Sequence, residues 1–175
     1  MYDKVILIGL GANLPGPAGA TPLETLESVL EDLDKRGVRV NRRSRWYRSA
    51  PVPKSDQPWF INGVAVVEFD DAPGNLLRIL RQVEDKFGRV RRIRNEARVI
   101  DLDILAFGDM VEASGTGDRA EGSLELPHPE LQNRAFVLRP MAEVVPDWRH
   151  PVSGRALDDL IAGLPPDQLV EPLDE

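Results

Sequence analysis

Arg98-Val99-Ile100-Asp101-Leu102-Asp103-Ile104-Leu105 reads as a hydrophobic β-strand interrupted by two carboxylates. Successive strand side chains point to opposite faces. Val99, Asp101, Asp103 and Leu105 therefore share one face, while Ile100, Leu102 and Ile104 can line a core on the other. The two acids stand side by side. Aspartate is depleted in strands and neighbouring like charges repel, so something must offset them, and a hard divalent cation bound through carboxylate and water oxygens does so. The segment just upstream, Gly88 to Arg98, carries Arg89, Arg91, Arg92, Arg94 and Arg98 and no lysine. Guanidinium groups pair with phosphate through two parallel bonds where an ammonium acts as a point charge. Acids able to hold Mg²⁺ beside several such forks suit a polyphosphate substrate.

Two blander readings compete at this level. Charged pairs also occur on solvated edge strands, where they discourage aggregation, and an arginine run can be a solvated loop or a nucleic-acid patch. A strand opening into a cleft fits better, because apolar residues surround the acids on both sides. An RNA-binding sheet would display clustered aromatics on its strands, and this segment has none.

Outward from this strand, the order of elements is legible. Lys4 to Gly11 is a continuously apolar run ending in glycine, a buried strand followed by a turn. Thr21-Pro22-Leu23-Glu24 opens a helix with a capping residue, proline at the first helical position and glutamate three residues on. Leu23, Leu26, Leu30 and Leu33 continue that helix to about Arg36, before Gly37. Val38 to Arg48 and Trp59 to Phe69 read as two strands around the proline-containing loop 49–58. Asp71 caps a second predicted helix, Pro73 to Phe87, with Gly88 at its end. The resulting β-α-β-β-α-β order is the split βαβ arrangement, with both helices on one face of an antiparallel sheet. Short helices from Arg134 to Val145 and Ala156 to Leu164 cover the other face, and an acidic tail follows.

Composition narrows the function classes. The 175 residues are 42% hydrophobic, enough for one domain, 1–175, with a real core. With no cysteine, disulfides, thiolate metal sites and cysteine nucleophiles are excluded. The longest apolar runs fall well short of the roughly 20 residues that span a bilayer, and no secretory leader is visible, so a cytoplasmic protein without membrane contacts is expected. The formal net charge of −7 conceals an asymmetry: residues 35–98 hold 16 of the 22 Lys and Arg but 7 of the 29 Asp and Glu. A basic middle in an acidic protein attracts a small anion locally and disfavours nucleic acid.

Further candidates lie outside the strand. His128 is held between Pro127 and Pro129, and Arg134 follows; a lone histidine serves structure as often as chemistry. Phe60 and Phe136 are core aromatics unless the fold brings them together around a flat ligand. Asn62, inside an apolar strand, can read the polar edge of a heterocycle or satisfy a backbone group. No Ser-His-Asp pattern, Walker-type loop or dinucleotide fingerprint is present.

Taken together, these residues resemble the 6-hydroxymethyl-7,8-dihydropterin pyrophosphokinase family of folate biosynthesis. The resemblance runs through Ile8 to Leu14, Ser44 to Pro51, Gln57 to Asn62, Glu84 to Arg89, Arg98 to Leu105, Pro127 to Glu130 and Asn133 to Leu138. It implies an α+β protein with a ferredoxin-like βαββαβ core in a three-layer αβα arrangement and C-terminal helical additions. It also implies transfer of pyrophosphate from ATP to the hydroxymethyl oxygen of a dihydropterin. Asp101 and Asp103 would then hold two Mg²⁺, and Arg89, Arg91, Arg98, His128 and Arg134 would neutralise phosphate, with Arg89, Arg98 and His128 in the catalytic set. Leu77 and Ile104 would border the adenine. Phe60 and Phe136 would stack the pterin, Asn62 and the main chain near Ser49, Pro51 and Val52 would read its edge, and Glu84 would support the site. The implied partners are ATP and the pterin, no nucleic acid or membrane is expected, and the chain is expected to be a monomer. Many members carry a tryptophan and a Gly-Pro pair just before the Asp-bearing strand, where this chain has Asn95-Glu96-Ala97-Arg98. A ligand-binding regulatory module, an RNA-binding domain on the same fold, and a kinase for another heterocyclic alcohol are the alternatives.

Overall fold

Ile6-Leu7-Ile8-Gly9-Leu10-Gly11-Ala12 is apolar on both faces, and such a strand is stable where both of its faces are covered. In the computed structural model, which describes residues 4–89, 97–112 and 124–173, this segment is strand β1 (Ile6–Ala12), almost wholly buried. It lies between β4 (Phe60–Glu68) and β5 (Asp101–Phe107), antiparallel to both. Beyond β4, β3 (Tyr47–Ser49) and β6 (Val170–Pro172) extend the sheet in the order β5-β1-β4-β3-β6, and β2 (Arg39–Arg43) also pairs with β4.

Alternation along the strands divides the core in two. Ile6, Ile8, Leu10, Ile100, Leu102 and Ile104 pack against Leu26, Val29 and Leu33 of α1 (Pro22–Lys35) and Leu76, Leu80 and Val83 of α2 (Pro73–Lys86). On the other face Leu7, Val64, Val66 and Leu105 meet Leu138, Met141 and Val144 of α3 (Ala135–Val144). Leu157 and Leu160 of α4 (Leu157–Ala162) complete that layer. The capping box at the start of α1 forms as read: Thr21 Oγ1 accepts the Glu24 amide at 3.1 Å and the Glu24 carboxylate accepts the Thr21 amide at 2.8 Å.

The structure corrects several boundaries. The predicted strand Val38 to Arg48 is two strands. A register shift falls between Val40 and Arg42, and after Arg43 the chain leaves the ladder so that the Trp46 ring can enter the core. Gly63 makes room for that ring, since a Cβ there would lie 2.7 Å from one of its carbons. Ser44 bridges the break, its amide donating to the Val64 carbonyl and its hydroxyl accepting the Val64 amide. The cap of α2 is Ala72 rather than Asp71; the Asp71 carboxylate accepts the adjacent Ala72 amide at 2.7 Å and so stops short of the helix's free N–H groups. Strand β5 begins at Asp101, because the Arg98 carbonyl is taken by the amides of Asn13 and Leu14. Part of the predicted acidic tail is strand β6, antiparallel to β3. Residues 90–96, including Arg91, and 113–123 lie outside the described residues.

Replacing Gly63 with Ala should push the buried Trp46 ring off its seat. The expected cost is about 1–3 kcal/mol, read as a lower urea midpoint with an unchanged slope.

Candidate active site

Strand β5 delivers the two acids to one face, as its period requires. Asp101 pairs with Gly11 of β1 and Asp103 with Gly9, so no side chain projects from β1 across from either carboxylate. A Cβ on Gly11 would lie 2.8 Å from Asn62 Oδ1, which makes glycine the residue that fits beside that amide. The space left open is a cavity of about 280 Å³ lined in part by Gly9, Gly11, Arg98, Asp101, Asp103, His128 and Arg134.

The two carboxylates differ in electrostatics. Asp101 receives Arg89 Nη1 on one oxygen at 2.9 Å and Arg98 Nη1 on the other at 2.8 Å. Burial works to raise its pKa, but Arg98, Arg89 and Arg134 outweigh that, and it lies below the usual carboxylate range. Among the described residues Asp103 has no such clamp. Burial, then the charge of Asp101, pushes its pKa up to about 7 against the pull of Arg134 and Arg81. His128 Nε2 lies 4.0 Å from Asp103 Oδ2. Burial first, then Arg134, lowers the His128 pKa to about 4, so the ring is neutral at physiological pH. Its Nδ1 accepts the Glu130 amide at 3.1 Å, which leaves the proton on Nε2, facing Asp103. The backbone anchors this ring as well. A register irregularity opposite Leu7 and Ile8 leaves Leu105 as an extra residue in β5, and its carbonyl accepts the His128 amide at 2.9 Å.

Glu84 of α2 is fully buried. Its carboxylate accepts Arg81 Nη1 at 2.6 Å, Arg89 Nη1, and the Leu102 amide at 3.0 Å. Arg89 thus sits between Glu84 and Asp101 with its side chain 10% exposed, a place that supports Asp101 rather than one open to solvent. Arg98 is more exposed and lines the cavity.

Ser49, Pro51, Val52, Phe60, Asn62 and Phe136 line the same cavity as the acids. Asn62 is buried, and its Nδ2 donates to Ser49 Oγ. Arg134 lies with its guanidinium 5.5 Å from the Phe136 ring. Leu77 and Ile104 line a second cavity, of about 150 Å³, together with Arg81, Leu124 and Glu125. The two cavities share Asp103, His128 and Pro129. A chain of phosphates running from one to the other would pass both groups.

Sequence reasoning missed Asn13, which is buried at the head of the site. Its Nδ2 donates to Gln57 Oε1 at 3.2 Å and the Pro58 carbonyl at 3.0 Å, and its Oδ1 accepts the Arg98 amide at 2.7 Å. One side chain thereby ties the turn after β1 to loop 49–58 and to Arg98. In the sequence it was one asparagine in a glycine turn, where that residue is ordinary. Arg81 and Gln57 were missed for the same reason, since each is an unremarkable polar residue until its neighbours are known. Among the described residues no group of three or more His, Cys, Asp or Glu side chains is placed to hold a metal. Two carboxylates opening into a cavity nonetheless fit Mg²⁺, which takes one or two carboxylates and completes its shell with water and substrate phosphate oxygens.

Residues 7–146 match the family described as 7,8-dihydro-6-hydroxymethylpterin-pyrophosphokinase (HPPK). The chain is 37% identical over 156 residues to a Synechocystis 2-amino-4-hydroxy-6-hydroxymethyldihydropteridine pyrophosphokinase, covering 89% of this chain and 73% of the relative. It is 38% identical over 161 residues to the Pseudomonas aeruginosa protein of the same name, covering 91% of each. Among solved structures it is similar to Plasmodium falciparum HPPK-DHPS, with a TM-score of 0.65 and 14% identity, over 92% of this chain. It spans 44% of that longer chain, and the likeness concerns the fold alone. These matches lend no support to the regulatory-module or RNA-binding alternatives. With 140 consecutive residues matched and two relatives above one-third identity covered over most of their length, this chain belongs to the 7,8-dihydro-6-hydroxymethylpterin-pyrophosphokinase family.

Proposed function

We propose that this protein transfers the terminal pyrophosphoryl unit of ATP to the hydroxymethyl oxygen of 6-hydroxymethyl-7,8-dihydropterin, releasing AMP, as a step of folate biosynthesis. The observation that carries this reading is the meeting of two cavities at Asp103 and His128. One has aromatic and amide groups suited to a flat heterocycle, and the other has apolar walls from Leu77 and Ile104 suited to adenine. The pterin oxygen attacks the β-phosphorus, the bond from that phosphorus to the α,β-bridging oxygen breaks, and the hydroxyl proton leaves to solvent.

Asp101 and Asp103 would hold two Mg²⁺, which when bound supply charge neutralisation and orient phosphate oxygens. Arg98 and Arg134 face the cavity and neutralise phosphate charge, while Arg89 holds Asp101 in place from its seat on Glu84. His128 donates its Nε2 proton to a phosphate oxygen. Phe60 and Phe136 stack the pterin, Asn62 and Ser49 read its polar edge, and the main chain at Pro51 and Val52 completes that edge. Alignment and charge stabilisation by fixed groups then supply most of the acceleration. We read the sheet order and the two-sided helix cover as the ferredoxin-like, three-layer αβα arrangement, and the chain as a single-domain cytoplasmic monomer. Among the described residues no helix is long and apolar enough to cross a membrane.

Mixing protein, ATP, Mg²⁺ and 6-hydroxymethyl-7,8-dihydropterin should release AMP, and its absence would refute the assignment. Asp101→Ala and Asp103→Ala should each lower turnover by about a hundredfold or more while the circular dichroism spectrum is retained; near-normal rates would remove the metal role. Arg98→Ala should weaken ATP binding more than pterin binding, as calorimetry with each ligand would show.

The raised pKa of Asp103 also has a sign. The folded protein keeps this proton up to about pH 7, whereas an unfolded aspartate loses it near 3.8. Without metal, wild type should therefore lose stability relative to Asp103→Asn as pH rises through that window. Excess Mg²⁺ above pH 7 should recover it, with a proton released on binding when titrated below pH 7.

A further inference from the structure

We propose that Gln168, outside the cavity, is a positioning residue that sets the two walls of the pterin slot in register. The inference rests on the pyrophosphokinase reading above and adds a residue to it. Gln168 Oε1 accepts the Ala135 amide at 2.8 Å and its Nε2 donates to the Asn133 carbonyl at 2.8 Å. Those backbone groups lie on either side of Arg134, and Phe136 follows directly. The Ala135 amide is one of the first-turn N–H groups that a helix cannot satisfy internally. Residue Arg134, at the cap position of α3, makes no side-chain capping bond, so Gln168 caps the helix from a distant part of the chain.

The residues that follow Gln168 grip the opposite wall. The Leu169 carbonyl accepts the Ala50 amide at 3.1 Å. Val170, Glu171 and Pro172 pair with Ser49, Arg48 and Tyr47, and the Leu173 amide donates to the Trp46 carbonyl at 2.9 Å. A six-residue strap thus holds the Arg134–Phe136 turn through its first residue and Ala50 and Ser49 through the next two, while its far end is anchored at Trp46. The far end of α3 is tied to the same strand, since Glu143 accepts the Tyr47 hydroxyl and Arg45 Nε. With both ends of α3 referenced to β3, Phe136 has little freedom to move relative to Ser49 and Asn62. A slot that must grip a flat ring depends on such spacing, because a misplacement of about 1 Å from a remote change can cost about a hundredfold in rate.

Gln168→Met keeps the length of the side chain and removes both hydrogen bonds, and Gln168→Glu keeps the acceptor for Ala135 but loses the donor to Asn133. AMP release would be measured with pterin varied at saturating ATP and with ATP varied at saturating pterin, alongside thermal unfolding. Gln168→Met should raise the pterin KM about tenfold, the effect of losing two net hydrogen bonds, with the ATP KM unchanged. Gln168→Glu should fall between it and wild type. A pterin KM within about twofold of wild type would overturn the proposal. So would pterin and ATP KM values rising together in step with a lower unfolding midpoint, which is the behaviour of a strap that only stabilises the fold. Should Gln168→Met fail to fold, Gln168→Glu decides by the same criteria. No AMP from wild type would refute the activity and this role with it, whereas the other adverse results leave the activity standing.

Discussion

A carboxylate taken wholly out of water is stable only where cations and donors meet it, and Glu84 is such a group. Through the Leu102 amide it fixes helix α2 to strand β5 at the residue between the two aspartates. Through Arg89 it holds the guanidinium that in turn grips Asp101. The orientation of the first acid is thus set by a charge buried on a different element. Removing one member of such a set would strand the others in a low-dielectric interior, a cost of about 3–5 kcal/mol in comparable buried pairs.

Downstream of that constraint the two aspartates have different tasks. Asp101 is clamped by Arg89 and Arg98 and its pKa stays low, while Asp103, which has no comparable clamp among the described residues, holds its proton to about pH 7. The carboxyl with the raised pKa is the one that lies where the two cavities join. Glycine at positions 9 and 11 keeps that junction clear of side chains from β1, and the irregular residue Leu105 lends its carbonyl to seat His128.

Much of this was legible from residue order. The period of two in Ile100, Leu102 and Ile104 placed them in one core, and the structure buries all three there. The Thr21–Glu24 box marked the start of α1, and Ser49, Phe60, Asn62, Asp101, Asp103, His128, Arg134 and Phe136 do line one cavity. What was not legible depended on distant partners. The break between β2 and β3 follows from Trp46 needing the space at Gly63. Strand β6 contains glutamate and proline, poor strand formers, and forms because β3 offers it a free edge. Asn13 and Gln168 carry no local signal, since their importance lies in hydrogen bonds that span 45 and 35 residues of chain.

By itself the amino-acid sequence determined the main helices and the central strands, which faces are apolar, and that two acids must stand together near a basic run. Those are consequences of backbone periodicity and of the chemistry of neighbouring residues. The tertiary structure alone decided that Arg89 serves Asp101 and Glu84, that the pKa values of the two aspartates are pushed in opposite directions, and that two cavities meet at Asp103 and His128. Burial and charge pairing depend on which groups approach through space, and no local pattern encodes that approach.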